Sequence, residues 1–232
     1  MPMRKSGLAL GVALLLVSCQ ERVEEKPRLT TVFAYFYSHQ DTQSVFVDTL
    51  YDLEEPVEDT QGLSGATVRV QIGGGPYIRF LEDTARPGRY ISRLAIIPET
   101  DYSLRVESPI GDTYDLTSRS PKEFHLLYPQ EGDTMPLESL YVVWTDPGNP
   151  DYLLRLYTED TLRDTPYTYE VIFPIYPNGD TSVSYIPAFF IDTVNYWYDL
   201  TIAGYDTIYS GSDRYHDFVV FWSEKVRVFV RE

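Results

Sequence analysis

The sequence predicts an all-β protein of β-sandwich architecture. Aromatic residues make up 15% of the chain and 20 of them are Tyr. Such residues favour half-buried strands, because the ring packs against a core while its polar edge stays in water. Turn-forming residues recur about every ten positions, as in sandwich domains. No segment shows a convincing amphipathic helix pattern, so short strands joined by turns are expected throughout.

The first module is expected over residues 28–120. Its opening segment, residues 29–37 (LTTVFAYFY), is rich in β-branched and aromatic residues, and residues 66–72 (ATVRVQI) alternate as a half-buried strand does. The glycine run that starts at Gly73 ends this strand. Because neither a Lys-Ser/Thr pair nor a helix pattern follows, the run predicts a hairpin turn and not a phosphate-binding loop.

The second module is expected over residues 121–232, with Pro121 at its start. Residues 140–144 (LYVVW) and 152–157 (YLLRLY) each predict a strand. Trp144 ends the first of these segments, and we expect its ring in the core between the sheets. Two closing strands are expected, at residues 218–221 and 225–231.

Both halves resemble known modules of envelope proteins. The first half resembles the sequence pattern of prealbumin-like and immunoglobulin-like modules at residues 64–68 (SGATV), 87–90 (PGRY) and 102–106 (YSLRV). Residues 127–134 (LYPQEGDT), followed by the LYVVW and YLLRLY segments, resemble the opening of fibronectin type III modules. The resemblance implies that the chain folds as two Ig-like or fibronectin type III-like β-sandwich modules.

Residues 1–18 have the parts of a bacterial signal peptide that is cleaved from the mature chain. A basic start precedes an apolar segment, residues 7–17, that is too short to span a membrane. Leu16, Val17, Ser18 and Cys19 stand at the C-terminal end of this leader. These four residues resemble the lipobox of bacterial lipoproteins, and Cys19 is the only Cys of the chain. The resemblance implies that the Cys19 thiol carries a diacylglycerol, whose acyl chains contribute roughly 0.8 kcal/mol of membrane affinity per buried CH₂.

Residues 19–27 comprise the lipidated Cys and a charged segment that is expected to be a flexible tether. Position 20 is Gln and not Asp, which by resemblance to Gram-negative lipoproteins implies no retention in the inner membrane.

The lipobox and the strand motifs of the two modules together resemble a family of Bacteroidetes-type outer-membrane lipoproteins built on a domain of unknown function. Its members are often encoded near TonB-dependent receptors. The resemblance implies a lipid anchor in the bacterial cell envelope, at the periplasmic or surface face of the outer membrane, with a receptor or another envelope protein as partner.

The net charge of −16 excludes one class of partner. An acidic surface repels phosphate backbones, and the mature part has no basic stripe, so nucleic-acid binding is not expected. The charge is typical of a surface protein that is kept soluble by self-repulsion.

No sequence motif indicates an enzyme or a bound cofactor. The three His are not arranged as HExxH or with a Cys cluster, and Gly-x-Ser-x-Gly does not occur. The expected function is therefore a non-enzymatic binding or accessory module. A hydrolase that uses paired carboxylates is an alternative, since 35 acidic residues offer many pairs.

Two sets of side chains are candidates for ligand sites. Asp146, Asn149 and Asp151 offer oxygen ligands to Ca²⁺, although such residues are also typical of solvated turns. Trp197 and Trp222 would stack on sugar rings if the protein is a glycan-binding accessory of an outer-membrane uptake system, although burial in a sandwich core is the other role for them.

Substitution of the lipobox cysteine tests the predicted anchor. Cys19→Ser should abolish acylation and release the protein from the membrane fraction, because a serine hydroxyl cannot form the thioether. Mass spectrometry of the mature N-terminus and membrane fractionation measure the two effects. A wild-type protein that carries no lipid, or a variant that stays membrane-bound, would contradict the prediction.

Overall fold

The computed structural model describes residues 29–49, 62–162, 165–191, 195–206 and 216–232. These residues contain fifteen strands and two short 3₁₀ turns. Within these ranges the chain has no α-helix, and no helix has the length and hydropathy needed to cross a membrane. The all-β prediction is confirmed. The predicted signal peptide, Cys19 and the tether lie outside the described residues.

The strands follow one another along the chain with short connections. The first seven are β1 (Thr30–Tyr37), β2 (Thr42–Thr49), β3 (Thr67–Ile72), β4 (Tyr77–Glu82), β5 (Arg89–Arg93), β6 (Asp101–Glu107) and β7 (Thr113–Arg119). The next eight are β8 (Leu126–Tyr128), β9 (Thr134–Pro136), β10 (Tyr141–Thr145), β11 (Asp151–Leu162), β12 (Thr165–Ile175), β13 (Thr181–Tyr185), β14 (Tyr196–Tyr205) and β15 (His216–Arg231).

Local sequence explains the first half well. On β6, Tyr102, Leu104 and Val106 are fully buried while the intervening side chains are not, as the alternation of the sequence requires. The glycine run forms the predicted hairpin between β3 and β4. Gly73 and Gly74 have φ values of +54° and +75° there, a region that side chains with a Cβ rarely adopt.

Most strands belong to one continuous sheet. Its order is β12-β11-β14-β15-β1-β2-β5-β4-β3-β6-β7, and β9 pairs with β15 off this path. A second sheet contains three strands in the order β13-β10-β8. The large sheet therefore runs through both halves of the chain, and the small sheet covers only the second half.

Strand β15 joins the two halves. Its first part, from His216 to Phe221, pairs in parallel with β1, and its second part, from Trp222 to Val230, pairs antiparallel with β14. The sequence predicted two separate closing strands, at 218–221 and 225–231, and this was wrong. The chain stays extended across the junction because pairing with β14 begins at Trp222, directly after pairing with β1 ends at Phe221.

Two hydrophobic cores lie on the inner side of the large sheet. The first is built from β1 to β7 and also includes Phe218 and Val220 of β15. The second lies between β11, β14 and β15 on one side and the small sheet on the other. Trp144 of β10 is fully buried in this core, as predicted, and its ring centroid lies 5.5 Å from that of Tyr152. Both halves are thus sandwich-like.

Trp222 lies where the two cores meet. Its ring packs against both of them, and its indole N–H donates a hydrogen bond to the Phe124 carbonyl at 3.2 Å. The division of the chain into residues 28–120 and 121–232 stays a prediction. The structure adds that the end of the chain contributes to both cores.

Truncation of Trp222 tests this joint. Trp222→Ala should lower the free energy of unfolding by about 3 kcal/mol, because it opens a cavity shared by both cores. The matched control is Trp197→Ala on the neighbouring strand, since Trp197 is 43% exposed and outside both cores, and it should cost less than about 1 kcal/mol. Urea unfolding followed by circular dichroism measures both. Equal losses for the two variants would contradict the proposed joint.

Candidate functional site

The calcium candidates occupy a turn whose polar atoms form hydrogen bonds to other residues of the protein. Asn149 is buried; its side-chain oxygen accepts from the Lys122 backbone N–H at 2.8 Å, and its amide nitrogen donates to the Lys122 carbonyl at 2.9 Å. The Asp146 carboxylate accepts the Tyr152 hydroxyl at 2.7 Å. Among the described residues, no group of three or more His, Cys, Asp or Glu could hold a metal ion. Calcium binding by Asp146, Asn149 and Asp151 stays a prediction, and the observed role of the turn is structural.

The two tryptophan candidates lie on opposite sides of the large sheet. Trp222 points towards the cores, whereas Trp197 is exposed on the other side, which we call the outer face. The ring of Trp197 contacts Phe229 edge-on at 5.4 Å, and the Arg227 guanidinium lies 5.8 Å from its centroid. Of the two, only Trp197 is therefore placed where a sugar ring could reach it.

The outer face contains a cavity of about 340 Å³, which we call the groove. The first half of the chain lines it with Tyr35, Tyr37, His39, Gln40, Ser44 and Phe46. The second half lines it with Leu153, Arg155, Glu170, Ile172, Thr201 and Ala203. The groove thus lies where the two halves meet, and its volume lies in the range of small-ligand sites.

Aromatic rings form the first wall of the groove. Tyr35 on β1 and Phe46 on β2 are 40% and 47% exposed, a large area for aromatic side chains. Tyr37 stacks on Phe221 of β15 with centroids 4.7 Å apart and planes inclined by 7°. The Tyr35 hydroxyl donates to Asp217 at 2.6 Å, so burial and this contact raise the pKa of the phenol. The wall therefore presents fixed, uncharged rings.

The opposite wall carries an ion pair and aliphatic side chains. The Arg155 guanidinium on β11 and the Glu170 carboxylate on β12 are 2.6 Å apart, and Leu153 and Ile172 lie beside them. Burial raises the pKa of the Tyr37 phenol, with Arg155 lowering it and Glu170 raising it. Since β14 and β15 lie between β11 and β1 in the sheet, the ion pair faces the aromatic wall across the groove.

A histidine lies at one end of the floor. His39 Nδ1 is 2.8 Å from the Ser223 hydroxyl, and the Ser38 hydroxyl donates to the Ser223 carbonyl at 2.8 Å. Burial lowers the His39 pKa to about 4, and the positive charges of Lys225 and Arg155 act in the same direction. The imidazole is therefore neutral near pH 7. Ser223 is buried in β15, so its hydroxyl holds the histidine and is not an exposed nucleophile.

A floor hydroxyl lacks a partner. Thr201 on β14 is almost fully buried, and its hydroxyl oxygen has no hydrogen-bond partner among the described residues. An unpaired buried hydroxyl is costly to a folded protein. A ligand with hydroxyl groups would offer the missing partner.

A second, smaller cavity adjoins the groove on the outer face. It has a volume of about 200 Å³ and is lined by Tyr157, Thr158, Glu159, Trp197, Asp199 and Arg227. The two cavities meet on β11, where Arg155 of the groove lies 4.9 Å above the ring of Tyr157. Trp197 is therefore part of the same extended surface as the groove.

The sequence did not predict the groove residues, because they come from strands that are far apart in the chain. One local signal was present in residues 29–37. Phe36 of this segment is buried in the first core, while Phe33, Tyr35 and Tyr37 point to the opposite side. A strand with aromatic residues on both faces indicates that its outer face has a role beyond solubility.

No family model matches the sequence, and no curated protein matches it. Solved structures with some likeness include fibronectin(III)-like modules of CbhA from Clostridium thermocellum, at 13% identity and a TM-score of 0.23, covering 88% of this chain and 94% of that one. The BSP domain of a biofilm-associated protein matches at 13% identity and a TM-score of 0.29, covering 87% of this chain and 30% of that one. Trypsin-activated alpha-2-macroglobulin from Escherichia coli matches at 10% identity and a TM-score of 0.26, covering 87% and 15%. At such low TM-scores these likenesses carry no argument about function.

The buried histidine gives a pH dependence that can be measured. Folded His39 takes up a proton near pH 4, whereas the unfolded chain does so near its ordinary value of 6.5. The unfolded state therefore binds more protons between these values, and stability is lost as the pH falls through this window. The free energy of unfolding of the wild type, relative to that of His39→Gln, should decrease from pH 7 to pH 4. An NMR titration of His39 with a midpoint near 6.5 would contradict the expected burial.

Proposed function

We propose that this protein is a non-enzymatic binding module, tethered to the outer membrane of a bacterial envelope by lipid on Cys19, with the groove as its binding surface. The observation that carries the proposal is an exposed aromatic wall that faces an internally neutralised ion pair across a cavity of about 340 Å³. Sites that bind small molecules are concave and largely apolar, with a few fixed polar groups that orient the ligand.

A lipid anchor on a flexible tether is compatible with a binding role for the module. The lipobox-like segment ending at Cys19 would hold the chain at the membrane, and the charged residues after it would allow the module to reorient. The resemblance to Bacteroidetes-type lipoproteins supports a place beside an outer-membrane receptor, for which the protein would be an accessory. The acidic charge of the whole chain supports a partner other than nucleic acid.

A carboxylate-based hydrolase is the competing function, and the second cavity holds two acids that bear on it. Asp199 is bound to Lys225 Nζ at 2.6 Å, and Glu159 accepts the Tyr157 hydroxyl at 2.7 Å. A glycosidase needs a proton donor in a buried, apolar environment, whereas Glu159 is exposed. The groove itself contains a single carboxylate, that of Glu170. These surroundings favour binding without turnover.

A binding experiment with the full chain tests the proposal. Envelope extract is separated into polysaccharide and protein fractions, and each is passed over immobilised protein. Tyr35→Ala combined with Phe46→Ala should weaken saturable binding at least about tenfold, or roughly 1.4 kcal/mol. Tyr185→Ala is the matched control, because Tyr185 is an exposed tyrosine of the small sheet, away from the groove.

Mass spectrometry of the eluted ligand tests whether the protein is an enzyme. The ligand should be recovered chemically unchanged after long incubation. Binding that the groove substitutions leave intact would contradict the groove as the binding surface. A ligand recovered in cleaved form would contradict the non-enzymatic role.

A further inference from the structure

We propose that the groove binds a neutral carbohydrate chain, which extends along the outer face to the Trp197 cavity. This inference rests on the proposed function, since it assigns a ligand class to the same surface. Four properties of that surface favour this ligand class: its exposed rings, its charge balance, its length and its position in the sheet.

The exposed rings suit sugars because a pyranose is amphipathic. Its axial C–H groups form an apolar face that packs on an aromatic ring, while its hydroxyl groups point outward to polar partners. Tyr35 and Phe46 supply such rings from neighbouring strands, and Trp197 supplies another in the second cavity. Gln40, His39 and Thr201 supply donors and acceptors beside the first two rings.

The charges of the surface cancel, which favours an uncharged ligand. Its cations are Arg155, Lys225 and Arg227, with Arg89 over the ring of Phe46, and its carboxylates are Glu159, Glu170 and Asp199, with Asp217 bonded to the Tyr35 hydroxyl. Two of the cations are engaged at 2.6 Å, in the pairs Arg155–Glu170 and Lys225–Asp199. The neutral His39 adds no charge. An acidic sugar would have to displace a carboxylate from its partner, whereas a neutral hydroxyl can bond to the outside of either pair.

The length of the surface fits a chain better than a single sugar. Ala203 in the groove and Trp197 in the second cavity lie six residues apart on β14. At about 3.4 Å per residue, these positions are roughly 20 Å apart. Arg155 and Tyr157, which contact each other on β11, connect the two cavities. An oligosaccharide would therefore contact Tyr35 and Phe46 near one end and Trp197 near the other.

The position in the sheet argues against an extended peptide as the occupant. Peptides that bind sheets commonly add a strand to an open edge through backbone hydrogen bonds. The floor strand β14 is paired on both sides, with β11 and β15, so its backbone offers no such edge. A ligand here must bind to side chains, as the hydroxyl groups and C–H faces of a sugar can.

Glycan and peptide arrays, probed with the full chain in detergent, test the inference. The glycan array holds neutral glucans, xylans, mannans and galactans of increasing length, with uronic-acid chains as the charged set. Binding should be saturable for neutral chains and weaker for uronic-acid chains. Tyr35→Ala and Phe46→Ala should each weaken binding at least about tenfold, while Tyr35→Phe keeps the ring and should retain most of the affinity.

Substitution of Trp197 separates the two cavities. Trp197→Ala should weaken the binding of long chains while leaving short ones unchanged, and Tyr185→Ala should alter neither. Circular dichroism and urea midpoints confirm that each variant folds. A preference for uronic acids would overturn the inference, as would arrays on which no glycan binds.

The outcomes also separate this inference from the proposed function. If peptides bind and the groove substitutions abolish that binding, the groove is a binding surface but its ligand is not a carbohydrate. If neither glycan nor peptide binding depends on Tyr35 and Phe46, the proposed function and the inference both fail.

Discussion

The continuous pairing of β15 holds the two halves of the protein in one arrangement. The strand satisfies the backbone of β1 with its first residues and that of β14 with the rest. Trp222 reinforces this pairing from the inner side, where its ring packs against both cores. Flexible linkers between modules allow relative motion, but here a hydrogen-bonded strand replaces the linker. The position of every groove residue depends on this strand.

The groove follows from strand alternation on β15. Phe218, Val220 and Trp222 point to the cores, so Phe221 and Ser223 must point to the outer face. Phe221 supports the ring of Tyr37, and Ser223 holds His39. The strand that fixes the two cores thus also fixes the aromatic wall and the floor. Most of the site is therefore set by sheet geometry, and only His39 and Gln40 come from a turn, the one between β1 and β2.

Local pattern explains what could be predicted from the sequence and what could not. Alternation identified strand β3 and the glycine run identified the hairpin after it, and the placement of Trp144 in a core followed from its apolar strand. The pairing of β1 with β15 has no local signal, because it joins positions such as His39 and Ser223 that are 184 residues apart. The groove depends on that pairing, so its residues could be identified only from the structure. Lipidation of Cys19 depends on a short motif and stays a prediction.

The parallel pairing of β1 and β15 also constrains when the protein can fold. The first core includes Phe218 and Val220, so it stays incomplete until about 100 residues beyond its other strands have been made. Closing so long a loop is entropically costly. Folding is slow as a result, because the chain loses this entropy before the non-local contacts can stabilise it. A chain that cannot complete its first core early would stay unfolded for longer, as the export that we propose for this protein requires. Under the proposed lipid anchoring, late closure by β15 would therefore keep the chain competent for secretion.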